Sequence, residues 1–175
     1  GRSAASYKAA AGKALTFLND LCGELSIDAG KQLLVIPGNH DYYTQGLNIF
    51  GTQSKLRPEF DAVFAPYRQS TFYPGLGVVV FCVDSNRGSL PLDFATGHVT
   101  RGELLKIPRF IQQIKEDEPL YPSYIPAWKI ALMHHHPLPI PEAEKTSVVD
   151  GVMRKFLVLD NASTVLETFT KHGID

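Results

Sequence analysis

The sequence predicts a layered α/β fold, and three runs of residues carry that reading. Leu33-Leu34-Val35-Ile36, Val78 to Val83, and Trp128 to Met133 are short and continuously apolar. That is the pattern of strands buried on both faces of a layered sheet rather than strands with one wet face. Segments of helical period stand before and between them.

The first helix follows from Tyr7, Ala11, Ala14, Leu18, Leu21 and Leu25, which recur at alternating four- and three-residue steps. Lys8, Lys13, Asp20 and Glu24 fall between them, giving one core face and one wet face. Asp28-Ala29-Gly30 breaks that helix, and Pro37-Gly38 ends the first strand. No clear period runs from Tyr42 to Leu56, so a loop is expected there, followed by a short helix on Phe60, Val63, Phe64 and Tyr67. Thr71-Phe72-Tyr73 and Val78 to Val83 read as two strands around the turn Pro74-Gly75-Leu76-Gly77.

Asp84-Ser85-Asn86 closes the second of these strands, and a polar, Gly-rich loop follows. Thr100 with Glu103 forms a capping box ahead of a helix carrying Leu104, Ile107, Ile111 and Ile114. Pro108 requires that helix either to kink or to begin there. Pro137, Pro139 and Pro141 keep the chain extended after the third strand. Asn161 and Gly173 bracket a last helix bearing Val165, Leu166 and Phe169 as N-cap and C-terminal residue. Ile174-Asp175 reads as the opening of a further strand.

Composition sets the outer limits. The 175 residues are 44% hydrophobic and 20% charged, which fits one globular domain over 1–175 or a piece of one. A formal net charge of −1 gives no electrostatic case for nucleic acid or an anionic membrane as partner. Cys22 and Cys82 form no CxxC and sit in apolar stretches, as buried free thiols of a reducing compartment do. The apolar runs are too short to span a bilayer. Gly1-Arg2-Ser3-Ala4-Ala5-Ser6 has no apolar segment behind it, so a cytoplasmic protein is expected.

Two loops carry the chemistry. In Gly38-Asn39-His40-Asp41, Gly38 lets the backbone turn sharply after a strand and approach a ligand. Asn39 offers a neutral carbonyl oxygen suited to a divalent metal. His40 can donate to a phosphate oxygen or protonate a leaving alkoxide near neutral pH, and Asp41 can orient His40. The second loop is His134-His135-His136-Pro137, at the end of the third apolar run. An imidazole there is well placed to present a nitrogen to a metal, and alternation would put His135 on the face opposite His134 and His136. His98 and His172 belong to no motif and read as surface residues.

Val35-Ile36-Pro37-Gly38-Asn39-His40-Asp41 resembles the Gly-Asn-His-Asp block of the calcineurin-like metallophosphoesterases. The second loop resembles that family's strand-His-x-Pro block, whose register selects His135 as metal ligand. The resemblance implies a four-layer α/β/β/α metallophosphoesterase sandwich. It also implies two divalent metal ions (Mn, Fe, Zn or Mg), with Asn39 and His135 as metal ligands and His40 and Asp41 as catalytic residues. The activity implied is hydrolysis of a phosphodiester or phosphomonoester by a metal-activated hydroxide. Within that resemblance, Asp at position 41 points to phosphodiesterases and small-molecule phosphatases. The Asp84-Ser85-Asn86 and His134-His135-His136-Pro137-Leu138-Pro139 stretches are similar to the bacterial cyclic-nucleotide phosphodiesterase branch, which implies a small phosphorylated substrate such as a cyclic nucleotide.

The family's Asp-x-His, Gly-Asp and Gly-His-x-His blocks have no counterpart in this sequence. The chain is therefore expected to be an internal fragment lacking the first and last motif-bearing strands, inactive alone. The alternative is a degenerate, non-catalytic binding module of the same fold.

Overall fold

The computed structural model describes residues 4–38, 41, 56–86, 97–117, 119–138 and 159–174. The chain is mixed α/β and divides into two compact units, Gly1–Gln69 and Ser70–Asp175. Among the described residues, no helix is long and apolar enough to cross a membrane.

The first unit is helical. Helix α1 spans Ala4–Glu24, α2 spans Ala29–Gln32 and α3 spans Leu56–Phe64. Tyr7 and Ala11 of α1 pack with Leu56, Phe60 and Phe64 of α3, and Leu15, Leu18 and Val35 lie against them. The buried stripe of α1 therefore runs through Leu15, with Cys22 also buried, rather than through the expected Ala14, Leu21 and Leu25. Ala14 is exposed, and so are Leu21 and Leu25. A strict four-residue step from Tyr7 to Leu15 selects a slightly rotated face, and both faces carry enough apolar residues for either to be read from the sequence.

The expected strand at Leu33–Ile36 is not one. That stretch is irregular and only half-buried, and the main-chain bond from Val35 N to Tyr67 O (2.8 Å) is the ladder-like contact it makes to the turn after α3. An apolar run this short packs equally well as an extended segment against helices.

The second unit holds the sheet. Strand β1 is Thr71–Tyr73, β2 is Val78–Cys82 and β3 is Trp128–Leu132, in the order β1-β2-β3. β1 and β2 form the expected hairpin around Gly77, whose φ of 62° is the left-handed conformation glycine adopts without strain. β2 and β3 are parallel, with Val78 opposite Trp128 and Cys82 opposite Leu132. A parallel pair needs a crossover, supplied here by α4 (Arg101–Leu104), α5 (Lys106–Glu116) and α6 (Tyr121–Tyr124). α7 (Ala162–His172) follows β3.

Alternation divides the sheet into two faces. Val79, Phe81 and Val83 are fully buried with Ile107, Ile111 and Ile114 of α5 and with Val165 and Phe169 of α7. Phe81 meets Phe110 edge-to-face at 6.0 Å. On the other face Trp128 is 68% exposed and Ile130 42% exposed. Trp128 and Ile130 of β3 are therefore exposed on that face, where its apolar run predicted burial on both.

Pro108 is accommodated in the first turn of α5, where a missing N–H is harmless, with Leu105 separating the short α4 from α5. Half of the expected capping box forms: Thr100 Oγ1 accepts from Glu103 N at 3.2 Å. The Glu103 carboxylate turns to the sheet instead, where it accepts from Asp84 N at 3.1 Å and pairs with Lys106 at 2.6 Å. Asn161 occupies the expected N-cap position of α7, and its main-chain carbonyl accepts from Thr164 N and Val165 N, but its side chain makes no capping bond. Its amide spans Val99, accepting from that residue's N–H (3.2 Å) and donating to its carbonyl (2.7 Å).

Candidate functional site

The carboxyl ends of β2 and β3 lie side by side, the position at which α/β sheets place ligands. Beyond β2 the chain continues as Val83-Asp84-Ser85-Asn86, all buried although three of the four are polar. Two further segments lie beside these ends. Asn86 bridges His98, and Gly97 bridges Leu159, both in parallel sense. Main-chain bonds from His98 N to Ser85 O (2.9 Å) and from Leu159 N to His136 O (3.2 Å) draw them together.

His135 is at the centre of this arrangement. It is 2% exposed, whereas His134 and His136 on either side are exposed. Ser85 Oγ accepts the main-chain N–H of His135 at 3.2 Å and stands 2.9 Å from its Nδ1. Gly97 backs onto the same ring, where a Cβ would come within 2.6 Å of both Cβ and Nδ1 of His135. Real Cβ atoms do not approach so closely, so only glycine fits. His134 meets the ring of His135 edge-on at 4.8 Å.

The Ser85 hydroxyl fixes more than a position. It has one proton and two acceptor lone pairs, one of which takes the His135 N–H. If the hydroxyl proton points at Nδ1, the neutral imidazole carries its proton on Nε2. If Nδ1–H donates to Ser85 instead, Nε2 keeps a lone pair, the tautomer a metal ligand requires. One hydroxyl rotation therefore decides whether this histidine can act as a donor through Nε2.

Asp84 joins the sheet end to the helices. Its Oδ1 accepts from Asn86 N at 3.1 Å, and its own N–H goes to the buried Glu103. His98, which belongs to no motif and reads from the sequence as a surface residue, is half-buried and bonds Asp160 Oδ1 through Nδ1 at 2.7 Å.

In the first unit, Asp41 ties its own loop. One carboxylate oxygen accepts from Gly38 N at 2.8 Å, the other from the hydroxyl of Tyr7 at 2.5 Å, and Asp41 N returns to Gly38 O at 3.1 Å. Asn39 and His40 lie outside the described residues, and so does any bond between Asp41 and His40.

His135 has the donor chemistry of a ligand to a borderline divalent metal. Among the described residues, no group of three or more His, Cys, Asp or Glu side chains could hold a metal ion. These residues by themselves do not make a metal centre. Ser85, Gly97 and Glu103 are contributors that sequence patterns weighed lightly or missed. The signal that points to the first was three polar residues closing an apolar strand. No local pattern marks a glycine as the backing of a ring 38 positions away in sequence.

Comparison with family models, with characterised proteins and with solved structures returns no match.

Proposed function

We propose that this chain contributes to a metal-dependent phosphoesterase that hydrolyses a phosphodiester or phosphomonoester. The observation that carries the reading is the buried His135 ring at the carboxyl end of a parallel strand, held by Ser85 and seated on Gly97. A surface histidine needs no such enclosure, whereas a ligand must be fixed in orientation and tautomer. The Gly38-Asn39-His40-Asp41 loop supports the same reading through its resemblance to the metallophosphoesterase block.

The finer architecture proposed is the four-layer α/β/β/α sandwich. Val78, Val80, Trp128 and Ile130 support it by forming an apolar sheet face opposite the helix layer, as a sheet does when a second sheet packs on it. In this reading His135 and Asn39 are metal ligands, the metals supply charge neutralisation at the phosphoryl group, and His40 gives its proton to the leaving oxygen. Since the described residues do not complete a metal site, the remaining ligands belong to residues outside them. A small phosphorylated substrate such as a cyclic nucleotide is the proposed class, and the proposed compartment is the cytoplasm.

The test is hydrolysis of bis(p-nitrophenyl) phosphate by the intact gene product, chelated and then reloaded with Mn²⁺. Turnover is expected only in the reloaded protein, with His40→Ala lowering it roughly 10²- to 10⁴-fold at unchanged metal content. His135→Ala is expected to lose bound metal as well. Equal rates with and without metal would remove the reading. Metal uptake without turnover would favour the binding module.

A further inference from the structure

On the helical side of the second unit, a cleft of about 560 Å³ lies between α4–α5 and α7. That volume is within the range of small-molecule sites, roughly 300–1,000 Å³. We propose that this cleft binds a small organic anion with an apolar body, such as an aryl or alkyl phosphate, phosphonate or carboxylate. The proposal does not depend on the phosphoesterase reading.

Charge is the first argument. Arg101, Lys171, His98 and His172 line the cleft, and no carboxylate does among the described residues. Arg101 and Lys171 form no salt bridge with the described residues, and Asp160 and Glu103, next in sequence to cleft residues Asn161 and Leu104, are engaged by His98 and Lys106. Among the described residues, the cleft thus presents two cations with no salt-bridge partner. Burial, and after it the repulsion of Lys171 and Lys115, hold the His172 pKa below the ordinary 6.5.

Shape is the second argument. Leu104 and Pro108 give the cleft an apolar wall in addition to its basic residues. Inorganic phosphate would satisfy the charges and leave that wall wet. A neutral hydrocarbon would cover the wall and dehydrate Arg101 and Lys171 without compensation. A ligand that joins both properties uses the whole surface. An acidic peptide helix is a poorer occupant, because the volume holds only about one helical turn.

The experiment titrates the full ¹⁵N-labelled chain with phenylphosphonate, with inorganic phosphate and benzyl alcohol as the two half-ligands. Saturable amide shifts are expected at Arg101, Thr164 and Lys171, with each half-ligand binding more weakly. The double variant Arg101→Ala, Lys171→Ala should weaken phenylphosphonate binding by roughly 10-fold, as the loss of two exposed charge contacts implies. Both residues are exposed, so the variant should keep the wild-type spectrum elsewhere. The proposal is overturned by absence of saturation, by affinity unchanged in the variant, by inorganic phosphate binding as well as phenylphosphonate, or by shifts confined to Ser85 and His135.

Discussion

Ser85 Oγ contacts His135 twice, 3.2 Å from its main-chain nitrogen and 2.9 Å from Nδ1. The two residues are 50 positions apart, and both are buried. Ser85→Ala would leave a buried N–H and a ring nitrogen without this oxygen. Leaving such groups unsatisfied costs about 1–3 kcal/mol, so urea unfolding should show a loss of that size. If His135 is a ligand, metal affinity should fall too, and Ser85→Thr should restore part of it. Unchanged stability in Ser85→Ala would mean the hydroxyl is incidental.

Gly97→Ala makes a different demand on the same ring. A Cβ at this position overlaps atoms near the base of the His135 side chain, which cannot swing away as a chain end could. The ring or the Gly97 strand must shift, and overpacking of this kind costs about 1–3 kcal/mol. The expected outcome is a lower melting temperature together with moved imidazole proton resonances of His135. Wild-type stability with unmoved resonances would disprove the enclosure described for this ring.

In the first unit, Tyr7 and Asp41 form a contact across 34 positions that ties α1 to the Gly38 loop. A hydrogen bond to a charged group contributes about 1.5–3 kcal/mol, and partial burial places this one toward the lower end. Tyr7→Phe should destabilise by that amount, and so should Asp41→Asn. Because they remove one shared interaction, the double variant should cost less than the sum of the two. Strict additivity in a double-mutant cycle would show that the contact carries no energy.

What the sequence revealed, and what it did not, follows from the range of the interactions. The hairpin of β1 and β2, the helix on Ile107, Ile111 and Ile114, and the strand β3 shortly before the three histidines were legible because period and turn residues are local signals. Leu33–Ile36 misled because an apolar run of that length does not specify a ladder. Its partner, the turn at Tyr67, is visible only in the fold. Glu103 was read correctly as the partner of Thr100, yet its carboxylate is drawn to Asp84 N by a tertiary contact that outcompetes the local one. At the candidate site, His134, His135 and His136 stood out through their place after an apolar run, and the family resemblance selected His135 among them. Gly97 did not, since its role is an empty volume against a distant ring.

His172 ties stability to pH with a defined sign. It stands in the last turn of α7, where the helix dipole favours a cation. Desolvation is nevertheless the largest influence on it, and repulsion from Lys171 and Lys115 acts in the same direction, so its folded pKa lies below 6.5. The unfolded chain therefore binds more protons than the folded one as pH falls through 6.5. The contribution of His172 to stability is fully present above the unfolded pKa and declines as pH drops toward the folded value. The side chain is largely solvated, so a modest slope is expected. Urea midpoints measured from about pH 7.5 to 5 should fall for the wild type and fall less for His172→Gln, the gap between the two curves changing only between the unfolded and the folded pKa. Parallel curves across the whole range would show that His172 does not carry the linkage, and a steeper fall in the variant would reverse its sign.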